Sequence, residues 1–119
     1  MTAITTHVLD TARGRPAAGV PVRLERIDGG VPAELGRART DGDGRVSALG
    51  PARLEPGTYR LVFDTADYFS ERTRAEPAQT PVPSFFPEVT VTFAVDGRAD
   101  HEHIPLLLSP FGYSTYRGS

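Results

Sequence analysis

Thr58-Tyr59-Arg60-Leu61-Val62-Phe63-Asp64-Thr65 is the stretch whose reading decides the fold class. Tyr59, Leu61 and Phe63 alternate with Arg60 and Asp64, and a period of two puts the three apolar residues on one face of a strand. Directly after it, residues 66–73 form the one plausible helix, with Asp64 or Thr65 available to cap its free N–H groups. Outward from this pair the chain reads as strands. Residues 89–95 are the strongest, residues 4–9 open the series, and residues 20–27 set Val20, Val22 and Leu24 on one face. Residues 34–40 are polar and read as an edge strand. Residues 104–108 are strand-like, with Pro105 implying an edge or a bulge, and residues 113–117 can form a last short strand. Turns fall at Arg13-Gly14-Arg15-Pro16, Asp28-Gly29-Gly30 and Asp41-Gly42-Asp43-Gly44, and residues 74–83 form a Pro-rich ordered loop. Seven or eight short strands with one small helix predict an all-β sandwich.

The 119 residues suit one domain spanning 1–119. The formal net charge of -2 gives no field directed at nucleic acid or an anionic membrane. All 13 basic residues are Arg, the better residue for forked hydrogen bonding to a small polar ligand. The absence of Cys excludes disulfides, thiolate nucleophiles and Cys-type zinc sites. Residues 1–7 show no basic and no apolar leader segment, and no apolar run approaches a membrane span, so a cytoplasmic location is expected.

The histidines are His7, His101 and His103. In the first strand Ile4, Thr6 and Val8 share one face, so His7 points the other way with Thr5 and Leu9. His103 is out of step with Ile104, Leu106 and Leu108 in the same sense. If the apolar sets fill the core, both histidines leave the outer surface of the sandwich beside Leu9 and Leu107, which predicts a subunit interface there. Asp100-His101-Glu102-His103 invites a metal reading, but a zinc site needs a third and usually a fourth ligand, and Glu102 points away from both histidines. Asp41-Gly42-Asp43-Gly44-Arg45 fails as a calcium loop, because Arg45 and Val46 stand where a ligand and a glycine are required. No nucleophile elbow and no phosphate-binding glycine loop is found. What remains is a metal-free site of His and Arg, suited to attack of water on an activated carbonyl. Arg45 leaves a rigid loop with a defined direction.

Three segments resemble one known family. They are Thr6-His7-Val8-Leu9-Asp10-Thr11 with Gly14-Arg15-Pro16-Ala17-Ala18-Gly19-Val20, the loop from Thr40 to Arg45, and His103-Ile104-Pro105-Leu106-Leu107-Leu108-Ser109-Pro110-Phe111-Gly112-Tyr113-Ser114-Thr115-Tyr116-Arg117-Gly118-Ser119. The family is the 5-hydroxyisourate hydrolases, the purine-degrading relatives of transthyretin, and the final Tyr-Arg-Gly-Ser is its most specific mark. The resemblance implies a transthyretin-like β-sandwich of two four-stranded sheets with one short helix. It implies a homotetramer, a dimer of dimers, with active sites at the dimer–dimer interface. It implies hydrolysis of 5-hydroxyisourate to 2-oxo-4-hydroxy-4-carboxy-5-ureidoimidazoline, with no metal and no organic cofactor. His7, Arg45 and His103 match the family's catalytic positions. Tyr116 is expected to wall the pocket, with Ser114 and Arg117 as further substrate-binding candidates. Glu102 stands where the family often has an aromatic residue, and its side chain is expected to turn away from His103. The alternative is a transthyretin-type binding module that carries a small ligand without hydrolysing it.

Overall fold

Alternation of buried and half-exposed residues organises the computed structural model, which describes residues 3–119. Met1 and Thr2, which open the segment read as free of a leader, lie outside the described residues. The elements are β1 (Ile4–Asp10), β2 (Arg15–Pro16), β3 (Pro21–Arg26), β4 (Ala33–Arg39), β5 (Arg45–Leu49), β6 (Gly57–Phe63), α1 (Thr65–Ala75), β7 (Val89–Val95), β8 (Glu102–Ser109) and β9 (Gly112–Thr115).

One sheet runs β4-β3-β6-β7, and β4 lies at its edge as the polar pattern predicts. The other runs β2-β1-β8-β9, with β5 also paired to β1. Because β8 holds one side of β1, β5 and the two-residue β2 divide the other, so five strands fill four rows. Arg15–Pro16, read in sequence as part of a turn, is thus a short strand against Leu9 and Asp10. The inward faces of the two sheets meet in a core that includes Ile4, Val8, Leu24, Leu61, Phe63, Leu106 and Leu108, all fully buried. This is the aligned-sandwich solution, in which each sheet hides one face of alternating residues on the other.

Pro105 corrects the sequence expectation of an edge or a bulge. β8 is an interior strand, parallel to β1 on one side and antiparallel to β9 on the other. Its even-numbered residues turn their peptide groups to β1, where the Glu102 N–H donates to the Ala3 carbonyl and Leu108 accepts from the Thr11 N–H. The odd-numbered ones turn to the C-terminal tail, where His103 accepts from the Gly118 N–H and Pro105 from the Thr115 hydroxyl. Between Thr115 and Gly118 the tail is out of the ladder, so the N–H that proline lacks has no partner there to lose.

The helix is longer than its sequence reading by a residue before and two after, and Asp64 caps it by accepting from the Asp67 N–H. Its inward face carries Tyr68 and Phe69, both buried. It is fastened to the other end of β1 through the fully buried carboxylate of Asp10. That carboxylate accepts from the Tyr68 hydroxyl at 2.6 Å, from the Arg72 guanidinium at 2.8 Å and from the Arg13 N–H at 3.1 Å. Burial, then the bond to Asp10, pushes the Tyr68 phenol up to about 12. Removing one member of a buried charge pair leaves the other uncompensated, so Asp10→Ala is expected to cost about 3–5 kcal/mol. Tyr68→Phe, which removes a single hydrogen bond, is expected to cost about 1–2 kcal/mol. Urea unfolding of both variants measures this, and a loss below about 1 kcal/mol in Asp10→Ala would show that the clamp is weak.

Candidate active site

The outer face of β1 carries Thr5, His7 and Leu9, all half-buried, while Ile4, Thr6, Val8 and Asp10 are buried beneath. On β8 His103 and Leu107 are half-buried on the same face with Pro105 buried between them, and the parallel register sets Thr5 level with His103. On the opposite side of β1 the antiparallel register sets His7 level with Arg45. Three adjacent strands, β5, β1 and β8, thus deliver Arg45, His7 and His103 to one face from three distant parts of the chain.

The position of Arg45 depends on the preceding turn. Asp41 accepts from the N–H groups of Asp43 and Arg45, both at 2.9 Å, and these bonds hold its carboxyl below the usual range, the Arg45 contact most strongly. Gly44 has a positive φ of 74° and accepts from the Val8 N–H at 2.7 Å. A Cβ at this position would lie 2.4 Å from the Val8 carbonyl oxygen. Only glycine meets both demands, and meeting them presses the turn onto β1 beside His7. The His7 Nε2 donates to the Asp43 carbonyl at 2.9 Å, which orients its ring. The Arg45 guanidinium makes no ion pair among the described residues, whereas most arginines of this chain are paired with carboxylates.

His103 and His101 share a strand face, and their rings converge on one atom. The Thr5 Oγ1 lies 2.8 Å from the His103 Nδ1 and 2.8 Å from the His101 Nε2. A shallow depression between them is lined by Thr5, Arg45, Ser47, His101, His103 and Ser119. His103 is held below its ordinary protonation range, first by burial and then by the positive charges of Arg45, His101 and His7. No Asp or Glu side chain lines this depression, so Arg45 meets no acidic side chain there.

Not every expected residue joins the cluster. Glu102 turns away from His103, as expected, and accepts from Arg117 at 2.8 Å. Arg117 is therefore engaged on the far side of the strand. Tyr116 was expected to wall the pocket, but within one chain it lines a neighbouring depression with Val91, Phe93 and Ile104. The reason is the departure of the tail from the ladder after Thr115. The tail returns at Gly118, whose N–H bonds to His103 and whose bare Cα lies against the His103 ring, where a Cβ would stand 2.7 Å from Cδ2. Gly118 and Ser119 reach the histidines instead. Ser114 is exposed and pairs with Leu107, one strand outward from the cluster. Thr5 was missed as a member of the site, although the same period of two that found His7 puts it on that face. His101 was weighed only as a metal ligand, and among the described residues no group of three or more His, Asp or Glu forms a metal-ligand set.

A sandwich with one helix across its rim, and a polar His/Arg cluster on the outer face of one sheet, defines a transthyretin-like domain with a surface site. A related protein, the 5-hydroxyisourate hydrolase of Caulobacter vibrioides, is 46% identical over the whole of both chains. The solved structure of Klebsiella pneumoniae 5-hydroxyisourate hydrolase superposes with a TM-score of 0.80 at 34% identity, covering 98% of each chain. Transthyretin from Sparus aurata superposes with a TM-score of 0.84 at 26% identity, covering 99% of this chain and 97% of that one. The pattern of the HIUase/Transthyretin family matches residues 4–118, and the chain belongs to that family.

Gly44→Ala tests the seating of Arg45. It forces a Cβ into a positive φ and against a backbone oxygen, so a destabilisation of about 1–3 kcal/mol is expected. Thermal unfolding measures it, and unchanged stability would show that the turn can relax away from β1.

Proposed function

We propose that this chain hydrolyses 5-hydroxyisourate, opening a ring amide to give 2-oxo-4-hydroxy-4-carboxy-5-ureidoimidazoline in urate degradation. The observation that carries the reading is the convergence of His7, Arg45 and His103 on one outer sheet face in a chain so similar to named hydrolases. His103, kept neutral, takes a proton from water as the water oxygen bonds to the carbonyl carbon. Arg45, free of a carboxylate partner, stabilises the negative oxygen that forms. The carbon–nitrogen bond then breaks, and the proton held by His103 passes to the departing nitrogen. His7, whose Nε2 is committed to the Asp43 carbonyl, helps hold the water or substrate. No metal or organic cofactor takes part. Tyr116, Ser114 and Arg117 contribute to substrate binding only across a subunit contact.

The active unit in this reading is a homotetramer, a dimer of dimers, with residues 1–119 as one domain of each subunit. Half-buried Leu9 and Leu107 flank the histidines on a face too shallow to enclose a substrate by itself, and a second subunit laid over it would exclude water. The protein acts in the cytoplasm. No helix among the described residues is long and apolar enough to cross a membrane. Small-ligand carriage in the manner of transthyretin is not favoured, since relatives 46% identical to this chain are named as hydrolases.

The test uses 5-hydroxyisourate made fresh from urate and urate oxidase, with its ultraviolet decay followed against the spontaneous rate. The wild-type protein accelerates the decay, and His103→Asn loses about 10²–10⁴-fold in kcat while remaining folded. Near-normal turnover in that variant removes His103 as the base. The pH profile is a second check. A base is active when neutral, and the lowered protonation range of His103 places the acid limb of kcat/KM below the ordinary histidine value of about 6.5. An acid limb above that value would assign the base to another group.

A further inference from the structure

Thr5 is half-buried on the outer face of β1, and its hydroxyl lies at 2.8 Å from two different histidine rings. A hydroxyl has one proton to give and two lone pairs to receive with. It cannot donate to both rings, so at least one ring nitrogen must donate to it. Two ordered chains satisfy all three groups. In one, the His103 Nδ1–H donates to Oγ1 and Oγ1–H donates to the His101 Nε2. In the other, every arrow is reversed. They differ in where a neutral His103 keeps its single proton, and hence in whether its Nε2, on the side of the ring away from Thr5, is bare or blocked.

We infer that Thr5 is a positioning residue that holds His103 as the Nδ1–H form, with His101 completing the chain as acceptor, so that the His103 Nε2 lone pair is free for water. The inference rests on the reading of His103 as the base, since only a bare nitrogen can take a proton. The groups facing His103 are Thr5 and His7 from β1, Arg45 and Ser47 from β5, His101 from just before β8, and Gly118 and Ser119 from the tail. Arg45 is the one permanently charged side chain among these. Backbone geometry keeps the chain in place. The parallel register fixes Thr5 opposite His103, and the buried Thr6 hydroxyl donates to the Ile104 carbonyl at 2.6 Å one step further along. Gly118 closes the other side of the ring. In general the hydrogen bond at one imidazole nitrogen decides the protonation of the other.

Long-range proton–nitrogen NMR of the histidine rings, in the substrate-free wild-type protein above its histidine titrations, reads the tautomer directly. The expected result is His103 protonated at Nδ1 and His101 unprotonated at Nε2. A His103 protonated at Nε2 overturns the assignment. Thr5→Val keeps the shape and the strand preference but removes the chain. It is expected to lower kcat at least about tenfold, as loss of tautomer control does elsewhere, with little change in KM and with His103 no longer confined to the Nδ1–H form. Thr5→Ser, which restores the hydroxyl, is expected to recover both the tautomer and most of the turnover. Wild-type kcat in Thr5→Val, or failure of Thr5→Ser to recover it, overturns the role. The tautomer needs no substrate, so its failure is distinct from a wild-type protein that does not hydrolyse 5-hydroxyisourate. If Thr5→Val does not fold, the wild-type spectrum and Thr5→Ser still decide.

Discussion

The parallel pairing of β1 with β8 is the constraint on which the rest of this molecule depends. It joins residues nearly a full chain length apart and puts Ile4 to Asp10 level with Glu102 to Leu108, one against one. Side chains alternate with a period of two, so a slip by one residue would turn one strand over against the other. Either Ile4 and Val8 would leave the core as His7 entered it, or Leu106 and Leu108 would leave as His103 entered. The burial that stabilises the sandwich is therefore the same quantity that aims the histidines outward. Core and site share a register, and neither can be changed without the other.

The partners of β1 supply the rest. On its far side β5 brings Arg45, and the turn before it is held down by a glycine that no other residue can replace without strain. At its end Asp10 receives the helix through Tyr68 and Arg72. One strand thus carries a polar cluster on its outer face, a hydrophobic set on its inner face and a buried ion pair at its end. Charged and neutral polar groups in these positions are tolerated because each is bonded: Asp10 three times, Thr6 to a carbonyl, Thr5 to two rings.

Much of this is legible in the sequence alone. Alternation in residues 58–65 and 89–95 marks strands, and the parity of His7 and His103 against their apolar neighbours puts both outside the core. Asp64 or Thr65 marks the start of the helix, and the structure uses Asp64. What was not legible depends on pairing, which alternation does not encode. Pro105 argued for an edge because its missing N–H is visible in sequence, whereas the gap in the facing tail is not. Arg15–Pro16 looked like a turn because two residues are too few to show a period. Tyr116 and Arg117 were grouped with the histidines as members of one tetrapeptide, but the chain turns between them and Gly118, so neighbours in sequence part company in space. Thr5 and His101 lay on the right face, and only the distance of each from the other reveals that one hydroxyl serves two rings.

The long reach of the β1–β8 pairing also sets the order in which this protein can be made. The first strand emerges from the ribosome about a hundred residues before its partner, and until then one side of its backbone has no ladder. Contacts of such high sequence separation form slowly, because loop entropy is lost before any pairing energy returns. The β4-β3-β6-β7 sheet, whose strands follow one another at short intervals, can assemble first and offer its apolar face as a template. The N-terminal strand then waits, alternating and partly apolar, as the segment most exposed to pairing with a neighbouring chain. A nascent or truncated copy would carry the sheet that has no chemistry and lack the one that has it.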